Sequence, residues 1–132
     1  MHARRRETMT VVTVVIAEDD PDTRGMLCRL VRRSFPCVRI AQSKDGLAAH
    51  RRLLDLAPRL VIVDLHMPKM DGPALCRFIQ SHPRLAKTRV LVLTADTSAK
   101  ARRVMFETGT SEFLTKPFDS DELVSSVTRL LA

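Results

Sequence analysis

The stretch Leu60–Gly72 reads LVIVDLHMPKMDG. Leu60, Val61, Ile62 and Val63 form an unbroken apolar run, which suits a strand covered on both faces, as in a parallel sheet between helices. The run stops at Asp64, a carboxylate placed where a buried strand emerges into a loop. Pro68 keeps Met67 out of the helical region, and Asp71-Gly72 supplies a turn or a helix start. In open parallel sheets, ligands collect beyond the carboxyl ends of the strands. Asp64 therefore stands where chemistry is done, although a simple loop cap explains it equally well when it is taken alone.

Four further apolar runs flank this one, each followed by a helical pattern. On the N-terminal side, Val11–Ala17 reads as the first strand and runs into Glu18-Asp19-Asp20-Pro21-Asp22. Pro21 fits the first position of a helix capped by Asp20, and that helix extends over Asp22–Ser34. One cap needs one acceptor, so Glu18 and Asp19 are left over at a second strand end. Val38–Ala41 is a short second strand. Asp45 caps a helix that runs to Leu56 and is ended by Pro58. On the C-terminal side, Pro73–Gln80 is a third helix closed by Pro83. Arg89–Leu93 is a fourth strand ending in Thr94-Ala95-Asp96. Ser98–Thr108 is a fourth helix stopped by Gly109. Glu112–Thr115 is a fifth strand followed by Lys116-Pro117-Phe118, and Ser120 caps a last helix to Leu131. Five alternations of strand and helix specify an α/β sandwich with a parallel sheet, and right-handed crossovers bring all five strand ends to one edge.

Composition removes several function classes. The 132 residues suit one domain. Residues 1–10, with Arg4, Arg5 and Arg6, read as a flexible basic tail, and 11–132 as the folded unit. The apolar run after the tail is too short for a membrane span and ends in acids instead of a cleavage site, so neither a secretory signal nor a membrane anchor is expected. The four glycines (Gly25, Gly46, Gly72, Gly109) cannot assemble a dinucleotide or P-loop fingerprint. Cys28, Cys37 and Cys76 are odd in number and widely spaced. They read as buried free thiols of a reducing, cytoplasmic compartment. The formal charge of +7 is spread along the chain. With no aromatic residues interleaved, direct nucleic-acid binding is not expected. Lys100, Arg102 and Arg103 make the fourth helix basic, either as a solvated face or as a docking surface for an acidic partner.

The strand ends together carry Glu18, Asp19, Asp64, Thr94 and Lys116. Three close carboxylates repel one another, and a hard divalent cation relieves that repulsion while keeping waters or phosphate oxygens. With an ammonium and a hydroxyl beside them, the set suits a carboxylate nucleophile that accepts a phosphoryl group.

In Glu18-Asp19, in VDLHMPKMDG around Asp64, in Thr94-Ala95 and in FLTKPF from Phe113 to Phe118, the chain resembles the receiver domains of two-component response regulators, the family of the chemotaxis regulator CheY. The resemblance covers about Val11 to Leu131. It implies a doubly wound (βα)5 three-layer sandwich of flavodoxin-like or CheY-like type, with a five-stranded parallel sheet of order 2-1-3-4-5. It implies that Asp64 is the phosphoacceptor, served by a sensor histidine kinase or a histidine phosphotransfer protein. Mg2+, with Mn2+ as a substitute, would be bound by Asp19, Asp64 and the backbone carbonyl of His66, and by Glu18 through water. Lys116 would pair with the phosphoryl oxygens. Thr94 would move to the phosphate, with Phe113 turning inward behind it. The Lys116-Pro117 bond would be cis. His66, Ala95 and Asp96 would flank the site, and His66 and Asp96 would set the phosphoryl lifetime. The face made by the fourth helix, fifth strand and fifth helix would signal to an output partner, from a monomer or a phosphorylation-dependent dimer. No enzymatic turnover is expected beyond self-phosphorylation from small donors and autodephosphorylation.

Two expectations about output stay open: a separate protein partner, or a receiver that is part of a longer DNA-binding or enzymatic regulator. An aspartyl-phosphate phosphatase of the haloacid dehalogenase type fits less well, because its second acid falls at His66. A flavodoxin-like FMN carrier fits less well too, because EDDPD would repel a phosphate and there is no Trp or Tyr to stack on flavin.

Overall fold

The computed structural model describes residues 11–132; the basic tail over residues 1–10 lies outside the described residues. Five strands alternate with five helices: β1 (Thr13–Ala17), α1 (Pro21–Ser34), β2 (Arg39–Ser43), α2 (Gly46–Leu56), β3 (Leu60–Asp64), α3 (Gly72–Ser81), β4 (Arg89–Thr94), α4 (Ala99–Glu107), β5 (Glu112–Thr115) and α5 (Ser120–Leu131). A 3-10 turn at Pro83–Leu85 precedes β4. All pairings are parallel, in the order β2-β1-β3-β4-β5. Alternate residues of each inner strand serve opposite layers. Val15, Val61, Val63 and Val92 pack against Ala49, Leu53, Leu75 and Met105 of α2, α3 and α4. Ile16, Leu60, Ile62 and Leu91 pack against Leu27, Val31, Leu123 and Val127 of α1 and α5. Burying such a side chain stabilises the fold by about 1.5–3 kcal/mol, which is why these strands carry unbroken apolar runs.

Helix starts follow local chemistry. Asp20, Asp45, Asp71 and Ser98 each accept a backbone hydrogen bond from the residue three positions on, worth about 1 kcal/mol each. At α5 the cap is Asp119, not Ser120. Asp119 accepts from the Glu122 amide while the Glu122 carboxylate accepts from the Asp119 amide, and this reciprocal pair outcompetes a lone serine. Gly109, with φ 73°, follows the end of α4 in the left-handed region.

Boundary expectations shift at several elements; α1 starts at Pro21 and β4 runs on to Thr94. β1 begins at Thr13, because its neighbours β2 and β3 pair with it only from Thr13 and Val14 onward; Val11 is exposed. β2 extends to Ser43, because Ser43 pairs with Ala17 in register. Helices α3 and α4 differ from the expected limits by one residue at each end. One burial expectation fails. Cys28 and Cys76 are buried, but Cys37 is exposed, since it lies in the connection between α1 and β2.

Candidate functional site

The sheet order reverses direction between β1 and β3, and a crevice opens at such a switch point beyond the strand ends. Glu18 and Asp19 follow β1, and Asp64 ends β3, so the crevice is lined by acids. One carboxylate oxygen from each of Glu18, Asp19 and Asp64 lies within 4.8 Å of the others. The register sets Ala17 beside Val63, Asp64 beside Leu93 and Thr94 beside Thr115. This levels the strand ends and brings in Thr94 and Lys116.

Lys116 joins the cluster. Its ammonium donates to Asp64 Oδ2 at 2.7 Å and to Glu18 Oε1 at 3.1 Å. Its backbone amide donates to the Thr94 carbonyl at 2.7 Å, which ties the end of β5 to β4. The Lys116-Pro117 bond is cis. Burial pulls the Lys116 ammonium down, but the hydrogen bonds and charges of Asp64 and Glu18 outweigh it and hold it above its ordinary range. Glu18 is almost wholly buried. Burial pushes its carboxyl up, against the opposing pull of the Asp20 amide, which donates to Oε2 at 3.1 Å, and of Lys116. Asp19 is exposed to solvent.

The fit to a hard cation rests on this donor set. Three carboxylates supply only oxygen ligands, and exposed Asp19 leaves the cluster open to water, as Mg2+ requires. Asp64 is held from behind, since its Oδ1 accepts the His66 amide at 3.0 Å. Gly72 lets α3 start directly against it. A Cβ at Gly72 would lie 2.7 Å from the Asp64 carbonyl oxygen and 2.9 Å from Leu65 Cα.

The remaining expected residues are placed less uniformly. Thr94 is buried, and its hydroxyl accepts the Asp96 amide at 2.9 Å. Ala95 lies between them in the loop that leaves β4. The His66 ring stands outside, with Nε2 3.3 Å from Asp96 Oδ2. The Ser98 amide, first, and then His66 hold the Asp96 carboxyl below its usual range. Phe113 is 40% exposed, with the Arg102 guanidinium carbon 5.9 Å from its ring centroid. Two contacts had no sequence signal: Arg24 donating to the Glu18 carbonyl at 2.7 Å, and the direct pairing of His66 with Asp96. Phe106, at 87% exposed, did have one. It falls off the apolar stripe of Ala101, Val104 and Met105.

A family model described as the response regulator receiver domain matches residues 14–128. The chain belongs to the response regulator receiver family. This CheY-like receiver is similar to "DNA-binding dual master transcriptional regulator RpaA" of Synechocystis, with 30% identity over 89% of this chain and 48% of that protein. It is also similar to "Transcriptional regulatory protein GltR" of Pseudomonas aeruginosa, with 32% identity over 90% of this chain and 48% of that protein. The receiver thus spans about half the length of these two relatives. Among solved structures, the signal receiver domain of a signal transduction histidine kinase from Syntrophus aciditrophicus superimposes with a TM-score of 0.84 at 32% identity, covering 92% of this chain and 90% of that one. Two-component signalling is therefore the receiver's setting, and an acidic pocket that takes Mg2+ is typical of it. Among the described residues, no helix of the receiver is long and apolar enough to cross a membrane.

Proposed function

We propose that Asp64 accepts a phosphoryl group from a phosphohistidine on a sensor histidine kinase or histidine phosphotransfer protein. An Asp64 carboxylate oxygen attacks phosphorus and the P–N bond breaks. The electron pair stays with the imidazole nitrogen, which takes up a proton, and an acyl phosphate is left on Asp64. Asp19, Asp64 and the His66 carbonyl would hold Mg2+, with Glu18 acting through water. The bound ion would offset charge on the transferring oxygens. Lys116 stands ready to pair with those oxygens, because its ammonium already contacts Asp64. The added charge of roughly −1.5 to −2 gives the Thr94 hydroxyl a new acceptor in place of its loop contact. That draws Phe113 inward and shifts the face built by α4, β5 and α5. A charge change of this kind selects between arrangements already close in free energy. The setting we assign is the cytoplasm.

The observation that carries this reading is the Lys116 ammonium bridging Asp64 and Glu18 beside Asp19. Intact mass spectrometry after incubation with acetyl phosphate and Mg2+ tests it. One labile phosphoryl adduct is expected on the wild type and none on Asp64→Asn. An adduct that persists on Asp64→Asn, or none on the wild type, rejects the assignment.

A second reading concerns output. The chain spans 48% of RpaA and 48% of GltR, which favours a receiver that works as one part of a longer regulator over one that acts through a separate partner. The length of the protein produced by the native gene decides between them.

A further inference from the structure

Ala17 is the last residue of β1 in register with its neighbours, so the backbone that leads into the acidic cluster is held by other means. The Glu18 amide donates to the Ser43 carbonyl of β2 at 3.0 Å. The Glu18 carbonyl accepts from Arg24 Nη1 at 2.7 Å. Arg24 is half-buried near the start of α1, and its own amide donates to the Asp20 carbonyl at 2.9 Å. That first turn is fastened in place. The Thr23 amide and hydroxyl both donate to Asp20 Oδ2, at 2.9 and 2.5 Å, and the Asp20 amide donates to Glu18 Oε2 at 3.1 Å. The residues on both sides of Asp19 are thus braced from α1. Asp19 itself is exposed and, among the described residues, has no basic side chain within ion-pair distance. Nor, among the described residues, does Arg24 pair with a carboxylate.

We propose that Arg24 is a positioning residue for metal binding: by clamping the Glu18 carbonyl, it sets where Asp19 presents its carboxylate to the cation. The inference rests on the proposed function, in which Asp19 binds Mg2+, and adds a residue that the acids, hydroxyl and ammonium of the strand ends do not include. The peptide that joins Glu18 to Asp19 is planar. The Glu18 carbonyl oxygen and the Asp19 Cα lie in that one plane, so holding the oxygen limits the rotation that would swing Asp19. Mg2+ demands near-ideal octahedral geometry, and a ligand that swings costs affinity. A hydrogen bond from a cation is roughly twice as strong as a neutral one, which suits a clamp. Two other roles give different results. An Arg24 that only satisfied a spare carbonyl would change stability and leave Mg2+ affinity alone. An Arg24 that acted only as a charge would repel an arriving cation, so its removal would tighten Mg2+ binding. Positioning requires that removal loosen it, and the sign of the change separates the roles.

The test measures the Mg2+ affinity of the whole chain by NMR titration of the backbone amides, with urea denaturation to show that each variant is folded. Arg24→Met is expected to raise the Mg2+ dissociation constant by about tenfold. Arg24→Lys, which keeps the charge and a donor, is expected to raise it less. Arg32→Met removes the same charge from an exposed position on the same helix and is expected to leave it unchanged. In an Asp19→Asn background, Arg24→Met should have little further effect, because the ligand it positions is gone. Labelling of Arg24→Met by acetyl phosphate should fall at low Mg2+ and return to the wild-type rate at saturating Mg2+. Unchanged or tighter Mg2+ binding by Arg24→Met overturns the inference. So does an equal loss in Arg32→Met, or a loss of the same size with and without Asp19. Where Arg24→Met does not fold, Arg24→Gln carries the same comparison. A wild type that binds no Mg2+ rejects the metal assignment of the proposed function and the inference with it. A wild type that binds Mg2+ and is labelled, beside an Arg24→Met of equal affinity, rejects only the role of Arg24.

Discussion

The Lys116 ammonium lies 2.7 Å from Asp64 Oδ2, although 52 residues separate them in the chain, and 3.1 Å from Glu18 Oε1, 98 residues away. The ends of three strands meet at that cation, and it offsets a carboxylate repulsion that would otherwise oppose closing the crevice.

Removing the cation leaves buried Glu18 without its counterion. Lys116→Met is expected to lower the unfolding free energy by about 1–3 kcal/mol. Adding Glu18→Gln should return part of that loss. Urea denaturation of both single variants and the double variant checks this, and strictly additive effects contradict the coupling.

A cation bound by the acids stabilises the folded state by mass action. Raising Mg2+ to a hundred times its dissociation constant should add about 2.7 kcal/mol. Asp19→Asn should lose most of that gain, because exposed Asp19 contributes one of the three clustered oxygens. Thermal unfolding across a Mg2+ titration provides the measurement, and an equal Mg2+ effect on both proteins would count against the assigned ligand.

Acid stability reports on the other edge of the sheet. The hydrogen bond from Arg129 holds the Glu112 carboxyl below its usual range. The folded form of a depressed acid binds its proton less readily than the unfolded chain. Its contribution is therefore complete above the unfolded value, about 4.3, and is lost as pH falls through the lower folded value. Urea midpoints measured from pH 7 downward should show a shallower acid limb for Glu112→Gln. An unchanged slope removes Glu112 from the account.

Two glycines separate fold from site. Gly109→Ala forces a side chain into φ 73° and should destabilise by about 1–2 kcal/mol, with phosphoryl labelling by acetyl phosphate intact. Gly72→Ala sets a Cβ against the backbone of Asp64 and Leu65. It should reduce both stability and labelling rate. Equal labelling by the two variants would show that the packing of α3 does not position Asp64.

His66 and Asp96, whose side chains pair at 3.3 Å, lie two residues beyond Asp64 and Thr94 respectively, and we assign them a part in setting the lifetime of the phosphoryl group. Replacing both with Ala should shorten the adduct half-life by about threefold to tenfold, a barrier change of up to about 1.4 kcal/mol. Decay of the adduct followed by mass spectrometry gives the rate, and an unchanged half-life disposes of the idea.

The places where sequence and structure part company share a cause. Asp119 displaced Ser120 as the α5 cap because the competing partner, Glu122, acts from three residues further on. β1 lost Val11 and Val12 because in-register pairing with β2 and β3 begins only at Thr13 and Val14, although the Arg39 amide still donates to the Val12 carbonyl at 2.8 Å. Cys37 is exposed although its residue type favours burial. The contact of Phe113 with Arg102 depends on where α4 sits against β5.

The sequence alone determined the alternation of strands and helices, because apolar periodicity and capping act over a few residues. It also determined that Glu18, Asp19, Asp64, Thr94 and Lys116 stand at strand ends, because in a parallel sheet with right-handed crossovers those ends share one edge. Only the tertiary structure decided that the Lys116 ammonium bridges two acids, that His66 pairs with Asp96, and that the Arg102 guanidinium lies over the Phe113 ring. These facts depend on distances between strands and helices far apart in the chain, and those distances are set by the packing of two helical layers on one twisted sheet.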